Sequence, residues 1–475
     1  MEINLSSNFI NKILARLSKI SKTPILDLAL IYKKHSSSSV KISRIVADIS
    51  GINKRLVINI FRFLPFFMDL IRRLKHYPIA YIIKSKYFYN SEFYIEKGVL
   101  IPRPETEILV DLGILFSISF MLNKTSKTKT SKNKISENSS TFESKISIMN
   151  QIKNSCKEEN GFLLIDYESI INLKENLKEN FKESLKENFL TQNILSNFFS
   201  IKSSDESLTK RSNKSSDESL TKRSNESLDE FLAKRSNEVS DESLTKRSDE
   251  SSAESSSDTL NEYYKIKFCE FCSGTAAISI SLIKEILSLY KIDDLSAKDL
   301  ITKDQNFKEL NLKNLSNRDL VIKIDCTCFE ISKKAISIAK KNAKIILGKE
   351  ANSIKIIKSN ILSKNFLEKV KDLRFEFILA NPPYISKEDF KNLPLEVKKH
   401  EPKIALLPPK EQSIFYKKIA YLFSFLLKKE GFIAFEVSDS EHAKNVAKIL
   451  KESGFKTFIV NDFQGIGRVV AGQKI

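Results

Sequence analysis

Several residue types are scarce in this chain. It has no tryptophan, and of its 475 residues only 11 are glycine, five are cysteine and four are histidine. So few glycines exclude collagen-like chains and glycine-rich linkers, and they make each remaining glycine informative. Five cysteines in a chain of this length do not form a disulfide scaffold. The four scattered histidines weigh against histidine-rich metal sites and against a Ser-His-Asp catalytic triad.

Long apolar runs are also missing. None reaches the ~18 residues that span a bilayer, and the longest candidate, residues 114–122, is half that length. The first residues, Met1-Glu2-Ile3-Asn4, lack the basic and then apolar pattern of a signal peptide. We therefore expect a cytoplasmic protein with no membrane partner.

Charge and length restrict the class of partner and the number of domains less strongly. Lysine and arginine number 78 against 59 aspartate and glutamate, which gives a net charge of +19. Such an excess suggests a polyanionic partner such as nucleic acid, although general enrichment in lysine, asparagine, isoleucine and serine accounts for it equally well. The length has room for two or three domains with an ample core.

The first 121 residues contain two kinds of pattern. Apolar residues recur at helical spacing over 10–20 and again over 56–74, which predicts a helical domain over residues 1–85. Two short aromatic runs then flank Asn90-Ser91, which predicts a β-hairpin with a polar turn. Residues 86–121 are thus expected to hold this hairpin and a connecting segment.

Residues 122–262 differ in composition from the rest. They are rich in serine, lysine, asparagine and glutamate, and they contain a four-residue Lys-Glu-Asn-Leu/Phe repeat and a twelve-residue repeat marked by Arg211, Arg223, Arg235 and Arg247. Low apolar content and repetition predict a disordered insert, with transient helix near residues 173–190. A solenoid is disfavoured because twelve residues with one or two apolar positions cannot build a core.

The last part of the chain, residues 263–475, alternates strand and helix patterns. Seven strands are expected, and a turn between the last two makes that pair antiparallel. This alternation predicts an α/β fold, a doubly wound sheet with an antiparallel last strand. Ligands of such sheets bind at the carboxyl ends of the strands.

The first two strands of this domain end in residues suited to a nucleotide-like ligand. A turn of small residues, Cys272 to Ala276, follows the first strand and lets backbone N–H groups approach a ligand. Glu330 ends the second strand, where an acid suits ribose hydroxyls. Taken alone, a packing turn and a solvated glutamate in a first helical turn explain them equally well.

The fourth strand ends in the most specific motif, Asn381-Pro382-Pro383-Tyr384. Two prolines stiffen the loop, and Pro383 biases Pro382 toward an extended conformation that aims its carbonyl outward. Asn381 adds a side-chain carbonyl. Two acceptors beside an aromatic face form a cradle for a planar –NH₂ group, and the alternative is a simple rigid turn.

Asn-Pro-Pro-Tyr after the fourth strand of a doubly wound sheet resembles the amino-group methyltransferases that use S-adenosylmethionine. A second motif, residues 100–107 (Leu-Ile-Pro-Arg-Pro-Glu-Thr-Glu), preceded by Pro-Ile-Ala-Tyr-Ile at 78–82, is similar to the peptide chain release factor glutamine methyltransferases, the HemK/PrmC family. The resemblance covers residues 1–121 and 263–475. It also includes Glu401-Pro402 and Phe435-Glu436.

That resemblance implies an activity. The family transfers a methyl group from S-adenosylmethionine to the side-chain amide nitrogen of the glutamine in the Gly-Gly-Gln motif of release factors, which act in translation termination. Asn381 and Pro382 would be catalytic and hold the amide, and Pro383 and Tyr384 would complete the substrate site. Residues 1–85 would bind the substrate. We expect a monomer that meets nucleic acid only indirectly.

It also implies a cofactor site. The residues expected to hold S-adenosylmethionine are Cys272, Ser273, Gly274, Thr275, Ala276, Glu330, Asn360, Ile361 and Asn381. Three departures from the family pattern stand out: Gly274 is the one glycine left in the first loop, Glu330 replaces the usual aspartate, and Asn360 replaces a common aspartate. Together they predict weaker cofactor binding than in typical members.

Three alternatives stay open at this point. A nucleic-acid amino-group (adenine-N6) methyltransferase is favoured by the charge, but no segment resembles a target-recognition domain. A degenerate, non-catalytic member of the family is the second. A zinc module built on Cys269, Cys272, Cys326 and Cys328 is the third, and it is disfavoured because strand pleating sends Cys269 and Cys272 to opposite faces. We expect no metal.

Overall fold

The structure is a computed structural model that describes residues 2–36, 41–50, 56–132, 148–182, 264–289 and 322–475. These residues belong to one compact unit, which comprises 1–182 and 262–475. The second unit, 183–261, lies outside the described residues, and so do the twelve-residue repeats. Within the described ranges, no helix is both long enough and apolar enough to cross a membrane.

Helices dominate the N-terminal region. They are α1 (Ser7–Leu17), α2 (Pro24–His35), α3 (Ile42–Ser50), α4 (Ile60–Leu74) and α5 (Ile79–Ile83). Their inward faces share one apolar cluster that includes Ile10, Leu28, Ile49 and Phe66. The helical spacing read from residues 10–20 therefore corresponds to a buried face of α1.

A two-stranded ribbon in this region was not expected. Strand β1 (Glu2–Leu5) pairs antiparallel with β2 (Leu56–Asn59), so the helix predicted from residue 56 is wrong for its first four residues. Leu56 and Ile58 are buried while Val57 is exposed, which is the two-residue period of a strand. Asn59 then caps α4 by accepting a hydrogen bond from the Phe61 N–H.

The predicted hairpin is confirmed. Strands β3 (Ser85–Phe88) and β4 (Ser91–Tyr94) pair antiparallel around Tyr89 and Asn90, whose φ angles of 41° and 58° are both left-handed. The turn thus lies one residue before the predicted one. Helix α6 (Glu107–Lys132) follows and continues past residue 121, where the hairpin and connecting segment were expected to end.

Part of the insert is ordered. Residues 148–182 form α7 (Ile148–Ser155), β5 (Lys157–Glu159), β6 (Phe162–Asp166) and a further helix, α8, over residues 167–182. The prediction of disorder is wrong for this stretch. The reason is tertiary: Leu177 and Phe181 of the four-residue repeat are buried, and the Lys174 ammonium pairs with the buried Asp111 carboxylate at 2.6 Å.

The remaining strands form the sheet that carries the predicted site. They are β7 (Tyr264–Phe271), β8 (Ile322–Glu330), β9 (Ile354–Lys358), β10 (Phe375–Ala380), β11 (Leu427–Glu436), β12 (Phe455–Asn461) and β13 (Gly467–Lys474). Their order is β9-β8-β7-β10-β11-β13-β12, and β13 is antiparallel to both of its neighbours. This confirms the doubly wound sheet with an antiparallel last strand. At the outer side of β12, β6 adds in parallel and β5 follows it.

Helices cover both faces of the sheet. The remaining ones are α9 (Ala277–Leu289), α10 (Lys333–Leu347), α11 (Phe366–Val370), α12 (Lys387–Asn392), α13 (Leu395–His400), α14 (Ile414–Phe423) and α15 (Ser440–Glu452). On one face, Phe116 of α6 stacks on Phe432 of β11 at 4.3 Å between ring centroids. On the other, Phe271 of β7 stacks on Phe423 of α14 at 5.1 Å. The strands thus lie between two layers of helices, and the loops at their carboxyl ends lead into those helices.

Candidate active site

Four neighbouring strands place the predicted residues at one edge of the sheet. The loop 272–276 follows β7, Glu330 ends β8, Asn381 follows β10 and Glu436 ends β11. Because β8, β7, β10 and β11 are adjacent and parallel, their carboxyl ends lie side by side. The structure therefore brings the cofactor-loop residues and the Asn-Pro-Pro-Tyr residues to the same edge.

The loop after β7 has a backbone that glycine favours. Cys272, Gly274 and Ala276 have φ angles of 56°, 54° and 56°, in the left-handed region. A side chain costs about 1–2 kcal/mol per residue in that region. The departure from glycine noted in the sequence therefore has a structural cost, since Cys272 and Ala276 adopt a conformation in which a Cβ is strained.

Glu330 ties two loops together. Its Oε2 accepts a hydrogen bond from the Gly274 N–H at 2.8 Å, and its Oε1 accepts one from the Ser332 N–H at 2.8 Å. Burial raises the pKa of this carboxyl, against those backbone hydrogen bonds. Each carboxylate oxygen has a second lone pair, so Glu330 can still accept from ligand hydroxyls while it shapes the loop.

Two observations in the first loop fit a bound polar ligand. Among the described residues, the buried Ser273 Oγ has no hydrogen-bond partner, and a buried hydroxyl without a partner is costly. A Cβ built on Gly274 meets none of the described atoms within 4 Å, so the loop borders open space. Thr275, the other predicted hydroxyl residue of this loop, is also buried, at 4 % exposure.

The two residues expected beside the adenine lie after β9. Asn360 is exposed, and its Oδ1 accepts a hydrogen bond from the Leu362 N–H at 3.0 Å. Ile361 is buried in the apolar cluster that contains Phe366 and Phe423. The structure thus places Ile361 in the core at this end of the sheet, and its contact with a ligand stays a prediction.

Asn381 is held by its amide nitrogen. Its Nδ2 donates to Glu436 Oε2 at 2.8 Å and to Thr106 Oγ1 at 3.2 Å. The Tyr384 hydroxyl donates to the other oxygen, Glu436 Oε1, at 3.0 Å. One carboxylate therefore fixes both polar side chains of the Asn-Pro-Pro-Tyr motif. With respect to the described residues, the Asn381 Oδ1 is the amide atom left for a ligand.

A pocket of about 210 Å³ opens beside these residues. Its lining includes Leu100, Arg103, Asn381, Tyr384, Val397 and Glu436. Apolar walls with a few convergent polar groups are typical of ligand sites. The pocket is small, as suits one side chain and not a large cofactor.

The motif of residues 100–107 packs against this pocket. Arg103 pairs with Glu401 at 2.5 Å, and the Ile101 N–H donates to the same carboxylate at 3.2 Å. Thr106, from the same motif, holds Asn381. The sequence segments that carried the family resemblance are therefore in direct contact.

Comparison with known proteins agrees with these motifs. No protein-family model matches the chain. Curated relatives do: a release factor glutamine methyltransferase from Fusobacterium nucleatum is 40% identical over 149 residues, which is 31% of this chain and 40% of that protein. One from Clostridium acetobutylicum is 29% identical over 212 residues, which is 44% of this chain and 59% of that protein.

A longer match comes from a bifunctional methyltransferase of Rickettsia prowazekii. It is 30% identical over 402 residues, which cover 84% of this chain and 45% of that protein. This chain is similar to the release factor glutamine methyltransferases. The resemblance drawn from the two motifs is thereby confirmed, while the chain spans about half the length of the curated relatives it matches.

Two buried glutamates near the site had no assigned role in the sequence. Burial raises the pKa of Glu436 to about 7 and that of Glu270 to about 8. Glu270 lies in β7 just before the first loop, and its Oε2 accepts a hydrogen bond from the Ser279 N–H at 3.1 Å. Both are acids in the continuously buried carboxyl-terminal part of their strand, residues 268–271 of β7 and 432–436 of β11. That pattern is the signal that would have found them, because a buried acid needs partners.

The cysteines give little support to a zinc module. Cys326 and Cys328 share one face of β8, with their sulfur atoms 3.8 Å apart. Cys269 pairs in register with Thr327, and the pleat places it on the opposite face. Over the described ranges, no three His, Cys, Asp or Glu side chains are grouped as a metal site.

Proposed function

We propose that this protein transfers a methyl group from S-adenosylmethionine to the side-chain amide nitrogen of the glutamine in the Gly-Gly-Gln motif of peptide chain release factors. The observation that carries the proposal is the hydrogen bond between Asn381 and Thr106, which joins motifs 275 residues apart in the sequence. Together the two motifs build one small pocket with an amide oxygen available to it. The similarity to release factor glutamine methyltransferases supports the same substrate class.

The cofactor side fits S-adenosylmethionine. Within the part of the chain that the structure describes, the buried Ser273 hydroxyl has no hydrogen-bond partner and Gly274 borders open space. Glu330 has acceptor capacity for ribose hydroxyls. Asn360 and Ile361 would border the adenine. When bound, the cofactor supplies a methyl group on a positively charged sulfonium, which is already an activated electrophile.

The task left to the protein is alignment of a poor nucleophile. An amide nitrogen has its lone pair delocalised into the carbonyl group. Asn381 Oδ1 and the Pro382 carbonyl oxygen accept hydrogen bonds from the glutamine –NH₂, which favours a pyramidal nitrogen and its developing positive charge. Preorganised groups of this kind contribute on the order of 3 kcal/mol each. No strong general base is needed, because the methylated amide loses its proton after the transfer.

The N-terminal helices are proposed to bind the release factor beside this pocket. Arg73 of α4 pairs with Glu396 of α13 at 2.8 Å, and the next residue, Val397, lines the pocket. A macromolecule that presents a glutamine to the pocket therefore meets the helical region as well. We propose that the enzyme acts as a monomer in the cytoplasm, without a metal and without direct recognition of nucleic acid.

The deciding experiment is mass spectrometry of the release factor after incubation with the protein and S-adenosylmethionine. We expect one added methyl group on the glutamine of the Gly-Gly-Gln loop, and none when that glutamine is replaced in the release factor. Transfer of labelled methyl to DNA instead would favour the nucleic-acid alternative, for which the net charge of +19 is the main support. If calorimetry detects no cofactor binding at millimolar concentration, the protein is a non-catalytic member.

A further inference from the structure

Glu436 is hydrogen-bonded to two residues of the acceptor side of the site, which is the pocket proposed to bind the glutamine amide. It is 2 % exposed, and it ends β11 next to the pocket that Asn381 and Tyr384 line. Each of its two oxygens accepts one hydrogen bond from the Asn-Pro-Pro-Tyr motif, at 2.8 Å from Asn381 and 3.0 Å from Tyr384. Both of its oxygens are therefore engaged by side chains of the motif, so it can act on a ligand in the pocket through Asn381 and Tyr384.

The contact with Asn381 has a chemical consequence. The two ends of an asparagine amide have nearly the same shape, but one donates hydrogen bonds and the other accepts them. An ionised carboxylate only accepts, so it binds the Nδ2 end. With Nδ2 fixed on Glu436 and Thr106, Oδ1 is the end that a substrate –NH₂ group meets.

We propose that Glu436 is a positioning residue that sets the amide orientation of Asn381 and thereby makes the acceptor pocket selective for an –NH₂ group. This inference rests on the proposed function. A protonated Glu436 carries a hydrogen on one oxygen. That oxygen then acts as a donor and opposes the donor it faces, either the Asn381 Nδ2 or the Tyr384 hydroxyl. The flipped amide would turn a donor toward the substrate –NH₂ and leave two donors facing each other.

The protonation of Glu436 depends on its surroundings. Burial raises its pKa to about 7 and the negative charge of Glu105 adds to the rise, while hydrogen bonds from Thr106, Tyr384 and Asn381 act in the opposite direction. Tyr416 of α14 also faces it, and its hydroxyl donates to the Glu436 backbone carbonyl at 2.8 Å. Arg103 and Arg468 are the positive groups that act on the adjacent Tyr384. The ordered site is therefore expected above about pH 7 and lost below it.

The first test compares methyl transfer by the full chain with that by Glu436→Gln, and uses Glu430→Gln, an exposed position of the same strand, as the matched control. We expect Glu436→Gln to lower kcat about 10–100-fold, the scale of a misplaced catalytic group, and to change KM by less than about threefold. The reason is that Asn381 favours the charge that develops on nitrogen more than the neutral amide. In the wild type kcat rises with pH through about 7, and in Glu436→Gln that rise disappears.

A second measurement needs no turnover. The side-chain ¹⁵NH₂ resonances of Asn381, assigned by their loss in Asn381→Ala, report its hydrogen bonds directly. They should titrate near pH 7 in the wild type, and not in Glu436→Gln. A wild type that titrates but fails to methylate release factor would defeat the proposed function alone. Resonances insensitive to pH, or an unchanged kcat and pH profile in an active Glu436→Gln, would overturn the positioning role.

Discussion

The acceptor side and the cofactor side of the site are held in place by different means. On the acceptor side, Asn381 and Tyr384 donate to one buried carboxylate, and two prolines stiffen the loop between them. On the cofactor side, Cys272 and Ala276 stand in left-handed backbone and Ser273 keeps a buried hydroxyl unpaired among the described residues. The first arrangement is complete before any ligand arrives, and the second gains most from one.

The two buried glutamates follow the same division. Glu436 accepts hydrogen bonds from two side chains that line the pocket, so its proton is proposed to affect the reaction. Glu270 accepts from Ser279 at the start of α9, so its proton affects the stability of the fold under the first loop. Similar burial thus has a chemical effect at one place and a structural effect at the other.

The largest effect is expected on the acceptor side. Asn381→Ala removes the side-chain acceptor for the substrate amide and should lower methyl transfer by about 10²–10³-fold, as the loss of one preorganised group does. Steady-state assays with release factor measure it, and calorimetry should show a smaller loss of cofactor affinity, since Asn381 is also expected to contact S-adenosylmethionine. Asn392→Ala, at an exposed position, is the control. Near-native turnover of Asn381→Ala would contradict the division of roles between the two sides.

The next effect concerns stability on the same side. Arg103→Met leaves the Glu401 carboxylate, which is 1% exposed, without its cation. Breaking a buried pair costs about 3–5 kcal/mol, and the partial exposure of Arg103 reduces that to about 2–3 kcal/mol in the free energy of unfolding. Urea titration measures it against Arg374→Met, an exposed arginine. Equal losses in both variants would show that the pair contributes nothing.

On the cofactor side, stability should depend on pH. The pKa of Glu270 is raised from 4.5 to about 8 in the folded protein, so between these values the folded state keeps a proton that the unfolded chain releases. The contribution of Glu270 to the free energy of unfolding therefore falls as pH rises, by up to about 1.4 kcal/mol per pH unit. Glu270→Gln should make this slope shallower, most clearly between about pH 7 and 8, above the raised pKa of Glu436, while Glu350→Gln, at an exposed site, should keep it. Parallel pH profiles for all three proteins would refute the assignment.

The smallest expected effect is an increase in stability. Ala276→Gly relieves about 1–2 kcal/mol of left-handed strain and loses about 0.5–1 kcal/mol to the freedom of glycine in the unfolded chain. We expect a net stabilisation of about 0.5–1 kcal/mol and tighter binding of S-adenosylmethionine. Thermal unfolding and calorimetry test both. Ala339→Gly, inside α10, should instead destabilise by about 1 kcal/mol, and the same sign in both variants would contradict the strain.

Much of the fold could be predicted because its elements have strong local patterns. The strand and helix alternation gave the sheet, and the aromatic runs gave the hairpin. The ribbon of β1 and β2 was not predicted because each strand has only four residues and the apolar residues from Leu56 onward also match helical spacing. The order of residues 148–182 escaped for another reason. In the sequence, Lys174 does not differ from the other lysines of the charged repeat. Its ion pair with Asp111 depends on the tertiary fold.

The site was predictable to a similar depth. Asn381 and Tyr384 were expected together because their motif is contiguous. Their hydrogen bonds to Glu436 depend on the register between β10 and β11, which cannot be read from spacing in the sequence. The left-handed φ of Cys272 could not be predicted for a different reason: glycine is the residue that signals such a conformation, and here a cysteine adopts it.

The ordered stretch of the insert also determines which backbone the sheet offers to other molecules. With β6 paired to β12, the outermost strand on that side is β5, whose three residues, Lys157, Glu158 and Glu159, are all exposed. Short, charged edge strands discourage edge-to-edge pairing between chains. Deleting the insert as a whole would leave the N–H and C=O groups along the outer edge of β12, a strand of mostly apolar side chains, without β6 to pair with. Aggregation through intermolecular β-pairing is the expected consequence, whereas a deletion confined to residues 183–261 leaves the charged edge in place.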